Sequence, residues 1–268
     1  MRTSSAPANR TPKPLSSVRF ESFDRRVRER ERAFVEELRE LVAFPTVSAE
    51  RRAMRETSQW VLARLRRLGA KADALAVDGG PPTIIGEIGA GPRTLLVYDH
   101  FDVQPPDPLD EWRSDPFALT ERDGALVGRG VADNKGNLLA RLQSIETYVE
   151  TVGSLPLRVR FLFEGEEEVG SEHLAAFVAR HRDRLGADGC IWEAGYKDAD
   201  GRHVVSLGLK GIAYFDLRVR GTSSDAFCSR TSSTFRGPRS WRSRRCCGCV
   251  ARLQQPQTTL SERSQRSR

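Results

Sequence analysis

Apolar runs of strand length recur through the middle of this chain, and acids or an imidazole stand at their ends. His100 and Asp102 follow in LLVYDHFDVQP, Asp133 lies in GRGVADNKGN, Glu167 and Glu168 in FLFEGEEEVGS, and Glu193 in GCIWEAG. Strand ends of an open α/β sheet converge on one crevice, so acids placed this way are brought together by the fold, as scattered surface charges are not. The pattern favours a sheet architecture with a polar centre at its strand ends and reads as most of a two-metal hydrolytic site.

The elements around these ends follow from periodicity. Apolar residues at helical spacing predict an amphipathic helix over Asp24–Val42, stopped by Phe44-Pro45, and a second from about Arg51 to Leu68, closed by Gly69. Strands are predicted at Ala72–Val77, Thr83–Ile88 and Thr94–Tyr98, and a hairpin at Phe117–Arg122 and Ala125–Arg129 around Asp123-Gly124. A helix that begins after Asp133 and runs to about Thr151 precedes a strand Leu157–Phe163, a helix Ser171–Arg184 and a strand Gly189–Trp192. Two further strands, His203–Leu209 and Ile212–Val219, are expected to leave the body. Strands alternating with helices predict the α/β class, a mixed or parallel sheet flanked by helices.

Charge divides the chain. Ten arginines against the single acid Glu262 give residues 226–268 a net +9, so the remaining 225 residues carry −2 of the chain's +7. The basic character belongs to that segment, and neither nucleic-acid binding nor membrane association is expected of the domain. No apolar stretch reaches the ~20 residues that span a bilayer, and the cytoplasm is the expected location. Residues 1–19 read as a disordered N-terminus and residues 222–268 as a disordered Arg/Ser/Cys-rich tail. Four of the five cysteines fall in the tail, without the spacing of a zinc knuckle, and Cys190 reads as a buried small hydrophobe.

Each motif has a plain alternative. His100 and Asp102 lie two apart on an extended chain, which suits a metal-binding imidazole steadied by a carboxylate; a surface histidine is the other reading. Asp133 sits among glycines where a helix begins, and either approaches a site or caps that helix. Glu166, Glu167 and Glu168 repel one another unless a cation offsets them or they form a solvated turn. Agreement among four strand ends favours a two-metal hydrolytic centre. No Gly-x-Ser-x-Gly elbow, phosphate loop or Cys–His pairing competes, and His173 and His181 read as surface residues.

YDHFDVQPPDPLDEW, GRGVADNKGN and EGEEEVGSEHL occur in the order found in the M20 family of metallopeptidases, which the chain resembles from about Phe34 to Gly221. DVQPPDPLDEW followed by DPF resembles the dipeptidase branch, the carnosine and Cys-Gly dipeptidases. The resemblance implies a zinc-exopeptidase-like sheet and two divalent metals, typically zinc, with manganese or cobalt as alternatives. It implies that His100, Asp133, Glu168 and Glu193 are ligands, Asp133 bridging; that Glu167 is the general base; and that Asp102 orients His100. It also implies a cis peptide between Asp133 and Asn134, and hydrolysis of a dipeptide or short peptide by a metal-bound water. An N-acyl amino acid deacylase of the same family is the alternative.

The family pattern stops near Gly221, so residues 20–221 are expected to form a partial catalytic domain. Family members carry a lid domain that makes a homodimer and, later, a final histidine ligand. The text after Asp225 matches neither and reads as a frameshifted or truncated product, with weak second-metal occupancy and very low turnover as the expected consequence and a non-catalytic fragment as the alternative.

Overall fold

In the parallel pair at the heart of the sheet, apolar side chains alternate between two helical layers. The computed structural model describes residues 17–204 except 194, 196 and 199, all within one unit, Met1–Val205. Two helices come first, α1 (Ser17–Val42) and α2 (Met54–Arg67), then strands β1 (Lys71–Leu75), β2 (Thr83–Ile88) and β3 (Thr94–His100). A hairpin of β4 (Thr120–Arg122) and β5 (Ala125–Val127) precedes α3 (Lys135–Val152) and β6 (Arg158–Glu164). The short helices α4 (Leu174–Arg180) and α5 (Arg182–Leu185) lead to β7 (Gly189–Ile191).

The main sheet runs in the order β1-β2-β6-β3-β7. β1 and β2 pair antiparallel, as do β2 and β6, while β3 lies parallel to both β6 and β7. Helix α3 is the crossover between β3 and β6, the connection that a parallel neighbour demands. Val97, Phe101, Val159, Phe161 and Phe163 share one core with Leu41 of α1, Leu65 of α2 and Leu138 and Leu142 of α3. Tyr98, Leu162 and Ile85 face the other way, against Phe177 of α4 and Leu185 of α5. Each fully buried Leu or Phe contributes roughly 1.5–3 kcal/mol, so this two-sided packing fixes the register of β3 against β6.

Several boundaries differ from the sequence expectation. α1 starts at Ser17, inside the stretch expected to be disordered, because no Gly or Pro interrupts helix formers after Pro14. α2 starts later than expected, after Arg51 and Ala53 take positive φ values of 53° and 52°. β3 runs two residues further than expected and pairs His100 with Glu164. The expected helix Ser171–Arg184 divides at His181, which leaves helical geometry at φ −116°. Cys190, expected to be buried, is exposed on β7, the last strand of the sheet among the described residues, along with Ile191. Of the expected strand His203–Leu209 only its first two residues are described, His203 forming an isolated bridge to Lys197; the strand Ile212–Val219, the tail 222–268 and residues 1–16 lie outside the described residues. Among the described residues no helix is long and apolar enough to cross a membrane.

The three helices on the larger core are tied by charge. Arg64, 1% exposed, lies 2.5 Å from Glu37 of α1 and 3.1 Å from Glu146 of α3, and Arg30 reaches the same Glu146 at 2.9 Å. Arg64 Nε has no aligned acceptor, so its contact with Glu37 is Coulombic. Removing one partner of a buried pair leaves uncompensated charge at a cost of about 3–5 kcal/mol. Both glutamates keep some water, so R64A is expected to destabilise the fold by about 3 kcal/mol, read from urea midpoints.

Candidate metal centre

β3 and β6 end side by side, and four segments of the chain meet just beyond them. His100 is the last residue of β3 and only 1% exposed; Asp102 follows, fully buried. The His100 ring turns Nδ1 toward Asp102, 3.2 Å from its carbonyl and 3.3 Å from its carboxylate Oδ1. That carboxylate also accepts the backbone N–H groups of Glu167, at 3.3 Å, and Glu168, at 3.1 Å. One buried acid thereby hangs the glutamate turn at Glu167–Val169 on the end of β3. Gly165 opens that turn, where a Cβ would stand 2.7 Å from the Phe101 ring and 2.8 Å from Met54, so any side chain there would force those neighbours to shift.

The second ring nitrogen, Nε2, faces acids from three different segments. Asp133 Oδ1, from the turn before α3, lies at 3.1 Å; Glu193 Oε2, two residues past β7, lies at 3.2 Å; and Glu167 Oε2 lies at 3.8 Å. Glu168 joins His100 and Asp133 in a second group whose ligand atoms all fall within 4.8 Å of one another, as do those of His100, Glu167 and Glu193. Gln104 donates its amide to the Glu168 carbonyl and carboxylate, both at 2.9 Å. The peptide between Asp133 and Asn134 is cis, as expected, and so is Asp107–Pro108, which was not. Every sequence-predicted site residue is in this cluster.

These residues fit a divalent cation on donor chemistry. Nε2 carries at most one proton, so it can satisfy only one of the three carboxylates aimed at it. Glu193 Oε2 is buried and has no hydrogen-bond partner among the described residues. Burial pushes the Glu193 carboxyl up to about 7, with His100 opposing and Glu167 adding to the rise. For His100 burial works downward, but Asp102 and then the charges of Glu193 and Glu167 outweigh it and raise the imidazole to about 9. Burial also raises Glu167 and Glu168. Like charges crowded at a partly dry strand end are what a cation would offset.

The peptidase family M20/M25/M40 matches residues 96–245, more than half of the chain. The chain belongs to this family. Among curated M20 relatives, the Cys-Gly metallodipeptidase dug1 of Schizosaccharomyces pombe is 35% identical over 210 residues, covering 72% of this chain and 44% of its own length. The Beta-Ala-His dipeptidase of Homo sapiens is 33% identical, covering 72% and 42%. The crystal structure of the M20 metallo-carboxypeptidase Sso-CP2 from Sulfolobus solfataricus superposes with a TM-score of 0.60 at 36% identity, over 63% of this chain and 39% of that one. Human carnosine dipeptidase 1 gives 0.60 at 33%, over 64% and 40%. The chain thus spans less than half the length of the M20 relatives it matches.

Around the cluster stand polar residues that sequence reasoning missed. Glu164, 2% exposed, accepts hydrogen bonds from Tyr98 at 2.6 Å and Ser171 at 2.8 Å. Trp192 stacks on the Tyr98 ring at 3.9 Å and donates its indole N–H to Glu193 Oε1 at 3.2 Å. Asp99, fully buried, is bound by Asn134 and Arg141. The available signal was a charged residue inside an apolar run, as in VYDH and FLFE. His173, read as a surface residue, is partly exposed and pairs with Glu166 at 2.8 Å, while His181 packs its ring on Phe177 at 4.6 Å. Lys135, fully buried, donates to the carbonyls of Leu41 at 3.0 Å and Phe44 at 2.5 Å, locking the end of α1 to the start of α3.

The shifts give a signed pH prediction for metal-free protein. Glu193 binds its proton more tightly folded than unfolded, and so does His100, so stability from both falls as pH rises, from about 4.5 to 7 and from about 6.5 to 9. Burial lowers Lys135 to about 7, which makes stability rise with pH above that value and opposes His100. Chelator-treated protein should lose melting temperature from pH 5 to 7 and then level off. Metal binding strengthens as its ligands lose protons, so saturating zinc should reverse the slope.

Proposed function

We propose that this chain is a metal-dependent hydrolase cleaving the amide bond of dipeptides or short peptides, with His100, Asp133, Glu168 and Glu193 as ligands of two divalent ions. Zinc is the simplest choice, and the carboxylate-rich donor set would also accept manganese or cobalt. The observation that carries the reading is the convergence of three carboxylates on one imidazole nitrogen, with a Glu193 oxygen buried and lacking a donor. The names of the curated relatives, Cys-Gly and Beta-Ala-His dipeptidases, favour dipeptides over acylated amino acids as substrates.

Divalent ions held there would supply Lewis-acid charge that acidifies water and offsets negative charge on the attacked carbonyl oxygen. The chain's own residues do the rest. His100 is steadied by Asp102, which holds the ring orientation through Nδ1. Glu167 projects its Oε2 to the edge of the cluster, one-third exposed, where substrate and water reach it. Burial raises its carboxyl, His100 opposes, and Glu168, Asp102 and Asp133 push it up further, so it can accept a proton from water and return it to the leaving amine. Asp133, 74% exposed, leaves the crevice open for a small substrate.

The test uses the dipeptides Cys-Gly and β-Ala-His with the full chain. E167Q is expected to lower kcat by about 10²–10⁴-fold while metal content by elemental analysis stays at the wild-type level. H100A removes the one imidazole donor of the cluster and should weaken metal uptake, read by elemental analysis. Unchanged hydrolysis by E167Q, or a wild-type chain that takes up no divalent metal, overturns the assignment.

A further inference from the structure

The residue before His100 is a carboxylate with no exposure to solvent. Neighbours in a strand point to opposite faces. Asp99 therefore turns to the α3 side, the face on which Val97 and Phe101 enter the larger core. Burying a carboxylate among such residues carries a large desolvation cost unless it is paired and hydrogen-bonded. Asp99 Oδ1 accepts a hydrogen bond from Asn134 Nδ2 at 2.7 Å and is in contact with Arg141 Nη1. Arg141 Nη2 in turn donates to the Trp192 carbonyl at 3.3 Å.

Both connections lead to the cluster. Asn134 directly follows Asp133, and Trp192 directly precedes Glu193. Asp133 and Glu193 are the two acids nearest His100 Nε2, at 3.1 and 3.2 Å. They come from the α3 turn and the β7 edge, which no ladder hydrogen bond joins. Resting on the metal-centre reading above, we propose that Asp99 is a positioning residue. Its buried carboxylate sets Asp133 through Asn134 and Glu193 through Arg141, and so fixes the distance between two ligands carried by separate elements.

This role separates from fold stability. Replacing a buried ion pair by apolar residues is often neutral or stabilising, so a purely structural pair is dispensable when its space is filled. The full chain is titrated with Co²⁺, following visible absorption, for wild type, D99A, D99N, R141M and the double variant D99L/R141M. Loss of an outer partner of a metal ligand typically weakens metal binding 10–100-fold, and D99A and D99L/R141M are expected to lose about that much affinity, with an altered Co²⁺ absorption envelope. R141M, which frees only the Glu193 side, and D99N, which keeps an acceptor oxygen, should lose less. Metal-free D99L/R141M should still melt cooperatively. If D99A does not fold, R141M and D99L/R141M carry the test.

Wild-type uptake of Co²⁺ together with affinities within about twofold of it for every folded variant, and an unchanged spectrum, overturns the positioning role alone. A wild-type chain that binds no Co²⁺ overturns the metal-centre reading and this inference with it.

Discussion

The parallel register of β3 against β6 is the constraint on which the site depends. It pairs His100 with Glu164, which brings the glutamate turn after β6 beside the imidazole at the end of β3. Asp102 completes the junction by accepting two N–H groups of that turn while facing the His100 ring. A slip of one residue would turn Val97 and Phe101 away from their core and His100 away from its acids at once. Packing and chemistry therefore specify the same alignment, and neither can change alone.

Much of this was legible because periodicity and strand-end acids are local properties. β2 occupies the span that its apolar run and flanking turns indicate, and the six residues singled out at strand ends all lie in one cluster. The less legible features join residues distant in sequence. Asp99 meets Arg141 across 42 positions and Tyr98 meets Glu164 across 66, contacts that exist only once the sheet has its order. Arg64 is similar: on a helix rich in arginine nothing local marks it as the buried one. Cys190 shows the converse error, since an apolar neighbourhood suggested burial whereas among the described residues its strand ends the sheet and the thiol is exposed.

The polar residues buried near the centre form two systems on opposite sides of β3. Tyr98, Glu164 and Ser171 lie on the side of the smaller core, and Asp99, Asn134 and Arg141 on the side of α3. Each costs desolvation that an apolar residue would avoid; Glu164 is held by Tyr98 and Ser171, whereas Asp99 Oδ2 and Asn134 Oδ1 find no hydrogen-bond partner among the described residues. Such networks hold one arrangement of loops in preference to near alternatives, which is what a constellation drawn from four segments requires. Lys135 plays the same part for the helices, spending its buried ammonium on the two carbonyls at the end of α1.

Trp192 gives the centre an optical consequence. Its indole stacks on Tyr98, is half open to solvent, and hydrogen-bonds the Glu193 carboxylate. Indole emission responds to a nearby charge and to the mobility of its surroundings, so a change in the charge of Glu193 is expected to reach a fluorophore one residue away. The protein carries a built-in reporter for events at its own crevice, with no dye or label attached.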